Sequence, residues 1–200
     1  MTDTLIIFAK NPELGKTKTR IGKKLGDEVA LAIYYKLIHQ TQEITKDLKV
    51  SKVVYYSDFI DMEDSWDNSI YNKKKQVNDD LGVRMHISCK GELENGANKV
   101  VLIGTDIYSL TGEIIENAFR KLDSSDIVLG PAKDGGYYLI GMKQPNPEVF
   151  NLNEWSHSKV FQETIDIIDK LGLKYSTVEM LNDIDEPEDL LGTDLEGLIK

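Results

Sequence analysis

The sequence predicts a single α/β domain, spanning residues 1–200, in which helices flank a mostly parallel central sheet. Continuous apolar runs of about six residues, typical of strands buried on both faces, recur along the chain. Segments with apolar residues at helical spacing separate these runs, and such alternation is characteristic of parallel sheets. No internal repeat, low-complexity tract or linker divides the 200 residues. We therefore expect one domain of ordinary size.

In the first half of the chain, residues 4–9 (TLIIFA) predict a strand that a loop with Pro and Gly follows. Apolar residues at helical spacing predict a long amphipathic helix at residues 27–48. The run KVVYYS predicts a second strand at residues 52–57. Residues 58–76 are polar and aperiodic, so we expect a surface excursion there, with Trp66 and Tyr71 as anchors.

In the second half, the same patterns continue to alternate. Helices are predicted at residues 79–95, 113–122 and 158–171. Strands are predicted at residues 99–104 (KVVLIG), 126–130 (DIVLG), 137–142 (YYLIGM) and 175–180. The turn Asp134-Gly135-Gly136 joins two of these strands, and Pro187 in a first turn predicts a last short helix at residues 187–191.

Composition excludes several classes of protein. The chain is 40% hydrophobic and 29% charged, as folded proteins are, and 34 acidic against 24 basic residues give a net charge of −10. Such a field repels phosphates, so we expect neither nucleic acid nor a membrane as partner. The single cysteine, Cys89, forbids an internal disulfide. Since no signal peptide or membrane span is evident, the sequence predicts a cytoplasmic location.

Positive charge is concentrated after the first predicted strand. Residues 10–24 hold six basic residues and one acid, whereas residues 179–200 hold eight acids and one base. Gly15 in the loop AKNPELGKTKTR lets backbone amides approach a ligand closely. The cations of this loop stand at Lys10, Lys16, Lys18 and Arg20. We favour a phosphate-binding loop that is not a Walker A loop, and a solvated basic surface is the alternative.

Three further loops follow predicted strands, whose carboxyl ends bind ligands in α/β sheets. Asp106 follows residues 99–104 and is a candidate Mg²⁺ ligand or, alternatively, a turn cap. The loop GPAKDGGYYLIG offers Lys133, Asp134 and Tyr137 as ligand-binding side chains, and D-G is alternatively a hairpin turn. In LNDIDEPEDL, Asp183 or Asp185 is a candidate second metal carboxylate, although Asp185 could instead cap the last helix.

An ordered set of motifs carries a family resemblance. The motifs are FAKNPELGKTKTR, DLGVRM, VLIGTD, GPAKDGGYYLIG, Trp155-Ser156 and DIDEPEDL. This set resembles bacterial GT-A-type glycosyltransferase-like proteins of the nucleotide-diphospho-sugar transferase superfamily, a family associated with arsenosugar and radical-SAM genes. The first and last motifs are similar to those of phospholactate and molybdenum-cofactor guanylyltransferases. The resemblance covers residues 5–190 and implies a Rossmann-like GT-A fold.

The resemblance also implies a metal-dependent transferase that uses a nucleotide or nucleotide-sugar donor, a small-molecule acceptor and Mg²⁺ or Mn²⁺. Asp106 and Asp185 would hold the metal. Donor phosphates would be bound by Lys10, Gly15, Lys16, Lys18 and Arg20. The sugar or acceptor side would be formed by Asp134, Gly135, Gly136 and Tyr137, with Trp155 either stacking on a sugar or anchoring its loop.

Two reactions fit these residues, and glycosyl transfer is the favoured one. An acceptor hydroxyl would attack the anomeric carbon of the donor sugar, with Asp134 as the candidate general base. In the alternative, nucleotidyl transfer, an ionised substrate phosphate attacks an NTP and needs no base. In both, the metal at Asp106 and cations such as Arg20 would neutralise the leaving group. A third hypothesis is that the chain is a non-catalytic nucleotide-binding module.

Overall fold

The computed structural model describes residues 2–155 and 157–199, which contain one seven-stranded sheet. The strands are β1 (Thr4–Ala9), β2 (Ser51–Tyr56), β3 (Asn72–Lys75), β4 (Val100–Gly104), β5 (Ile127–Pro131), β6 (Tyr137–Met142) and β7 (Tyr175–Thr177). They lie in the order β3-β2-β1-β4-β6-β5-β7. The pairs are parallel except for those that β6 makes with β4 and β5, which are antiparallel. The predicted α/β fold with a mostly parallel sheet is confirmed.

Helices cover both faces of this sheet. The α-helices of the described residues are α1 (Thr19–Leu25), α2 (Asp27–Thr45), α3 (Leu81–Glu94), α4 (Gly112–Lys121) and α5 (Val160–Lys170). Short 3-10 helices lie at Pro147–Phe150, Pro187–Leu190 and Asp194–Ile199. One core contains Ile21 of α1, Ile33 of α2 and Ile115 of α4, and the other contains Met85 of α3 and Ile168 of α5.

Alternate residues of the central strands enter the two cores. In β1, Leu5 and Ile7 belong to one core and Ile6 to the other, and all three are fully buried. Each such residue exchanges water for apolar neighbours, which is worth about 1.5–3 kcal/mol per large side chain. A strand buried on both faces must be apolar at every position, which is why these runs are continuous.

Strand β3 was not predicted. Its sequence, NKKK, lies within residues 58–76, which we expected to form a surface excursion. The strand occupies the edge of the sheet and pairs in parallel with β2. Lysines are common on edge strands because their charge prevents pairing with other chains, so no apolar pattern marks such a strand.

Helix α1 was also missed, because the segment reads as a basic loop. The helix begins at Thr19 and ends at Leu25, and Ile21 buries its apolar side. Gly26, with φ +95°, separates α1 from α2. Arg20 therefore lies in the first turn of a helix rather than in a loop.

The excursion after β2 is anchored as predicted. Trp66 and Tyr71 are both buried, and their rings pack edge to face with centroids 4.9 Å apart. The Tyr71 hydroxyl lies 2.8 Å from Thr45 Oγ1 at the end of α2. Nearby, the buried Lys73 ammonium lies 2.6 Å from the Asp64 carboxylate. An aromatic pair and an ion pair thus fix the part of the excursion that precedes β3, which contains no helix or strand.

The carboxyl ends of β1 and β4 lie side by side in the middle of the sheet. The loops that follow them therefore meet, as does residue 184 of the C-terminal segment, whose backbone N–H donates to the Asp106 carbonyl at 2.9 Å. Within residues 2–155 and 157–199, no helix has the length and apolar character needed to cross a membrane. The fold brings the predicted site loops to one edge.

Candidate active site

A cleft of about 520 Å³ opens along this edge of the sheet. Its size is within the range of small-molecule sites, about 300–1,000 Å³. Phe8 of β1, Leu102 of β4 and Ile140 of β6 contribute apolar surface to it. The charged residues that line it are Lys10, Lys18, Arg20, Arg84, Asp106, Asp134, Asp183 and Asp185. The cleft thus combines an apolar lining with a convergent set of charges.

Lys18 lies at the centre of the charged set. Its ammonium is 2.7 Å from Asp106 Oδ1 and 3.2 Å from Asp185 Oδ1, and the side chain is only 4% exposed. Burial acts to lower the pKa of Lys18, but the two carboxylates outweigh burial and the pKa is raised. The ammonium is therefore charged throughout the physiological pH range.

The backbone of Lys18 is left-handed, with φ 47° and ψ 46°. Among the described residues it is the one non-glycine residue with positive φ. This conformation costs an L-residue about 1–2 kcal/mol and is found where the surroundings enforce it, often at ligand sites. Lys18 immediately precedes α1. The strained residue therefore lies where the predicted phosphate-binding loop ends and the helix begins.

The acidic C-terminal segment faces the basic residues of α1. Arg20 lies 3.4 Å from Asp185 Oδ2, and Lys24 lies 3.2 Å from Glu186 and 3.3 Å from Glu188. These exposed pairs are each worth about 0–1 kcal/mol. The alternative reading of Asp185 as the cap of the 3-10 helix is wrong, since Glu186 occupies that position in a capping box.

Tyr34 of α2 fixes the start of the basic loop. Its buried hydroxyl accepts from the Lys10 backbone N–H at 2.8 Å and donates to the Lys10 carbonyl at 2.9 Å. Burial raises the pKa of Tyr34, so the hydroxyl stays protonated. Asn11, also buried, donates through Nδ2 to the Phe59 carbonyl at 2.9 Å and ties the loop to the excursion. The basic loop is held from both sides.

Asp183 is the carboxylate with the most perturbed environment in the cleft. Burial, followed by the charges of Asp134 and Asp185, raises its pKa to about 6. The sequence left open whether Asp183 or Asp185 serves the site, and both line the cleft. Asp185 contacts the cations, whereas Asp183 is affected by the other two carboxylates.

The turn between β5 and β6 carries Asp134. The Gly136 backbone N–H donates to Asp134 Oδ1 at 2.8 Å, whereas no hydrogen bond from the described part of the chain is seen at the second oxygen of this exposed carboxylate. Gly135 has φ +92°, and a Cβ there would overlap the Ser158 carbonyl oxygen, so only glycine fits. The Phe161 N–H donates to the Gly135 carbonyl at 2.8 Å. The turn is therefore packed directly on the start of α5.

An aromatic corner forms the other end of the cleft. The rings of Tyr137 and Trp155 pack edge to face with centroids 6.2 Å apart. Trp155 also lies against Gly82, where a Cβ would come within 2.5 Å of the indole. Leu81 and Met85 of α3 line the cleft beside it. This corner could accept a flat or apolar part of a ligand.

Two predicted phosphate-binding residues lie outside the cleft lining. Lys16 is exposed and pairs with Glu13 at 2.8 Å. Gly15 has φ +75° and shapes the loop beside Asp27. The structure therefore brings together Lys10, Lys18, Arg20, Asp106, Asp134, Gly136, Tyr137, Trp155 and Asp185 from the predicted set. Gly135 does not line the cleft, but its left-handed backbone shapes the turn that carries Asp134.

Sequence reasoning missed Ser57, Gln76 and Arg84, which also line the cleft. Ser57 and Gln76 directly follow the ends of β2 and β3, so the rule that ligands bind beyond strand ends could have found Ser57. Gln76 required knowledge of the unpredicted strand. Arg84 lies in the DLGVRM motif, where it could have been singled out.

Within the described residues, no group of three or more His, Cys, Asp or Glu side chains is arranged to hold a metal ion. The two carboxylates on Lys18, those of Asp106 and Asp185, do converge on one cation. Mg²⁺ commonly uses one or two carboxylates and takes its other ligands from water and phosphate oxygens. The donor set therefore fits a metal that is bound together with a phosphate.

Comparison with known proteins identifies relatives of the chain. The family model described as "Uncharacterized protein conserved in bacteria (DUF2064)" matches residues 40–157. No curated protein sequence matches. The crystal structure of a candidate nucleotide-diphospho-sugar transferase from Desulfovibrio desulfuricans G20 is similar over 99% of this chain and 94% of that one. Its sequence identity is 27% and its TM-score is 0.89.

Two nucleotidyltransferases share the fold. The inositol-1-phosphate CTP transferase from T. maritima covers 98% of this chain and 95% of its own, with 15% identity and a TM-score of 0.61. The 4-diphosphocytidyl-2C-methyl-D-erythritol synthase from Anaerococcus prevotii DSM 20548 covers 95% of each chain, with 9% identity and a TM-score of 0.56. The nucleotide-diphospho-sugar transferase fold that the motifs imply is thereby confirmed. None of these matches bears on the arsenosugar and radical-SAM association.

The packing of Trp155 on Gly82 predicts the effect of a methyl group there. Gly82→Ala should destabilise the protein by about 1–3 kcal/mol, because the added Cβ meets the indole and the Phe150 carbonyl. Gly91→Ala on the same helix, with no atom within 4 Å, should instead stabilise by about 0.5–1 kcal/mol. Urea unfolding measures both. Equal effects of the two substitutions would contradict this packing.

The raised pKa of Asp183 predicts a pH-dependent stability. The folded protein takes up this proton below about pH 6 and the unfolded chain only below about pH 4, so this contribution to stability is lost as pH rises through 6. Asp183→Asn stays neutral, and its stability relative to wild type should increase between pH 4 and pH 7. Urea unfolding without metal measures this difference. With the exposed Asp47→Asn as control, a difference constant across this range would refute the assignment.

Proposed function

Because this chain belongs to the DUF2064 family and has the nucleotide-diphospho-sugar transferase fold, we propose that it is a metal-dependent transferase acting from a nucleotide-activated donor. The observation that carries the proposal is the meeting of Lys18, Asp106 and Asp185 at one point of the cleft. The favoured reaction is glycosyl transfer to a small-molecule acceptor. We place it in the cytoplasm, consistent with the free, buried Cys89.

The donor phosphates bind at the charged end of the cleft. Lys18 and Arg20 supply a point charge and a planar fork for phosphate oxygens. Thr17 adds a hydroxyl that is buried and has no hydrogen-bond partner among the described residues. A buried hydroxyl without a partner is costly, and a bound phosphate oxygen would satisfy it. Lys10 stands at the mouth of the same loop.

Asp106 and Asp185 are the residues that would hold Mg²⁺ or Mn²⁺. Both supply hard oxygen donors within 3.2 Å of the Lys18 ammonium, and Mg²⁺ and Mn²⁺ prefer such oxygen ligands. When bound, the metal would neutralise negative charge that develops on the leaving nucleotide diphosphate. Arg20 contributes to that neutralisation from α1 and also fixes Asp185, which it contacts at 3.4 Å.

In glycosyl transfer the acceptor oxygen forms a bond to the anomeric carbon while the bond from that carbon to the diphosphate breaks. The acceptor proton passes to Asp134, whose second carboxylate oxygen is not engaged by its own turn. Tyr137 and Trp155 at the aromatic corner pack against the sugar or acceptor. The nucleoside diphosphate leaves toward the cations.

Nucleotidyl transfer is the second candidate. Its support is the fold shared over 95% or more of both chains with the T. maritima CTP transferase. A substrate phosphate would attack the α-phosphorus of an NTP, and the bond to pyrophosphate would break. The nucleophile is already ionised, so this reaction requires no base at Asp134. The two candidates therefore differ in what they demand of that residue.

Ligand-induced stabilisation tests the metal and donor site. At 100 times its Kd, a ligand stabilises the wild type by about 2.7 kcal/mol. In the presence of Mg²⁺ or Mn²⁺, Asp106→Asn should reduce this gain to below about 0.5 kcal/mol, because a hundredfold loss of affinity leaves the site half filled. Thermal unfolding with NTPs and nucleotide sugars measures the effect. Asp47→Asn serves as control, and full metal-dependent stabilisation of Asp106→Asn would exclude Asp106 as a ligand.

Asp134→Asn separates the two reactions. The amide oxygen can still accept from the Gly136 N–H, so the turn is retained while the base is lost. In glycosyl transfer we expect turnover to fall by about 10²–10⁴-fold with donor stabilisation unchanged. Turnover is measured with the nucleotide that stabilises the wild type. Unchanged turnover would rule out Asp134 as the base, and stabilisation by NTPs alone would favour nucleotidyl transfer.

A further inference from the structure

Lys18 occupies the position between the two carboxylates that the proposed metal would use. Its Nζ lies 2.7 Å from Asp106 Oδ1 and 3.2 Å from Asp185 Oδ1. A Mg²⁺ ion bound by both carboxylates would lie about 2.0–2.1 Å from an oxygen of each. A metal and an ammonium cannot both be this close to the same oxygens, because the two cations would repel each other at short range. At these two oxygens, the metal and the ammonium therefore exclude one another.

No other cation of the described residues contacts both carboxylates. Of the two carboxylates, Arg20 contacts Asp185 and not Asp106; it lies 3.4 Å from Asp185 and 4.0 Å from Glu186, and its side chain is 64% exposed. Lys24, 51% exposed, contacts Glu186 and Glu188 instead. Water competes with both of these exposed cations, whereas the Lys18 ammonium is withdrawn from water. Lys18 is therefore the specific counter-ion of the Asp106–Asp185 pair.

We propose that Lys18 closes the metal site of the free protein and opens it when its ammonium transfers to a donor phosphate. This inference rests on the proposed function for its phosphate ligand. The phosphate offers Lys18 another anion to pair with. When the Lys18 ammonium moves to the phosphate, the carboxylates of Asp106 and Asp185 face each other without a cation. A divalent ion then restores the charge balance. Metal and donor thus bind cooperatively, and each raises the affinity for the other by the same factor.

The side chain can make this transfer without a change of fold. Four side-chain torsions separate the ammonium from a backbone whose left-handed conformation is set at the start of α1. Thr17, whose hydroxyl has no hydrogen-bond partner within residues 2–155 and 157–199, directly precedes Lys18 and lines the same cleft. A phosphate held there is within the reach of a lysine side chain. The backbone stays fixed while the charge moves.

Lys18→Met tests the proposal, because it should have opposite effects on two ligands. Without Lys18, the unpaired carboxylates should bind Mn²⁺ alone at least tenfold more tightly than the wild type does, measured by the electron paramagnetic resonance signal of free Mn²⁺. The same substitution should weaken the binding of pyrophosphate without metal at least tenfold, measured by calorimetry. A merely structural role for Lys18 would weaken both or neither.

Lys24→Met is the matched control, since it removes a nearby cation that contacts neither Asp106 nor Asp185. Its Mn²⁺ affinity should stay within about twofold of wild type, because exposed charges are screened. Lys18→Gly, which accepts the left-handed backbone, should reproduce the gain of Lys18→Met. Adding Asp106→Asn to Lys18→Met should abolish the gain.

Each outcome decides the proposal. Mn²⁺ binding by Lys18→Met and Lys18→Gly no tighter than by Lys24→Met would overturn it. If either Lys18 variant unfolds too readily for titration, its rise in melting temperature with Mn²⁺ must exceed that of wild type, or the proposal fails. If the wild type binds neither pyrophosphate nor any nucleotide, the proposed function fails. A Mn²⁺ gain in the Lys18 variants would still support Lys18 as the counter-ion.

Discussion

A lysine ammonium withdrawn from water needs counter-charge inside the protein, and the architecture of the cleft meets this need at Lys18. Desolvating such an ion costs several kcal/mol unless close carboxylates compensate. Asp106 comes from the loop after β4, and Asp185 lies 167 residues after Lys18 in the sequence. Parallel pairing of β1 with β4 brings Lys18 close to Asp106. The hydrogen bond from the Ile184 N–H to the Asp106 carbonyl brings Asp185 to the same place.

The remaining charges are arranged around this buried group. Exposed pairs of Arg20 and Lys24 with the acidic segment contribute little energy singly, yet they align the segment with α1. At the opposite end of the cleft, Trp155 and Tyr137 provide apolar surface. A ligand with a charged half and a flat half complements such a cleft. The net charge of −10 describes the whole chain, whereas ligand binding depends on the positive and negative side chains that line the cleft.

The elements that could be predicted are those in which every residue has a similar degree of burial, since this produces a recognisable apolar pattern in the sequence. Strand β6 was placed at its observed bounds because burial on both faces demands an apolar residue at each position. Strand β3 has no such signature, since its identity depends on pairing with β2 at a sheet edge. Likewise, Lys18 and Asp106 were selected individually from their loops. Their ion pair depends on strand order, which local patterns do not encode.

The pKa of Asp183 was equally beyond local reasoning, because it results from burial and from carboxylates on other segments. Gln76 carries no distinctive spacing and reaches the cleft only through the placement of β3. Residue type and position after a strand thus identified candidate site residues. Which of these candidates line the cleft depends on tertiary contacts. Lys16 was chosen from the same loop as Lys18, but it is exposed, pairs with Glu13 and lies outside the cleft lining.

The hydrogen bond from Ile184 to Asp106 has a consequence for how the protein is made. Synthesis proceeds from the N-terminus, so β1 and Lys18 leave the ribosome well before Asp185. Six of the seven strands can pair before residue 175 has emerged. The nascent domain therefore holds Lys18 with half of its counter-charge until the C-terminal segment arrives. The cleft is therefore completed only after the six strands β1–β6 that support it.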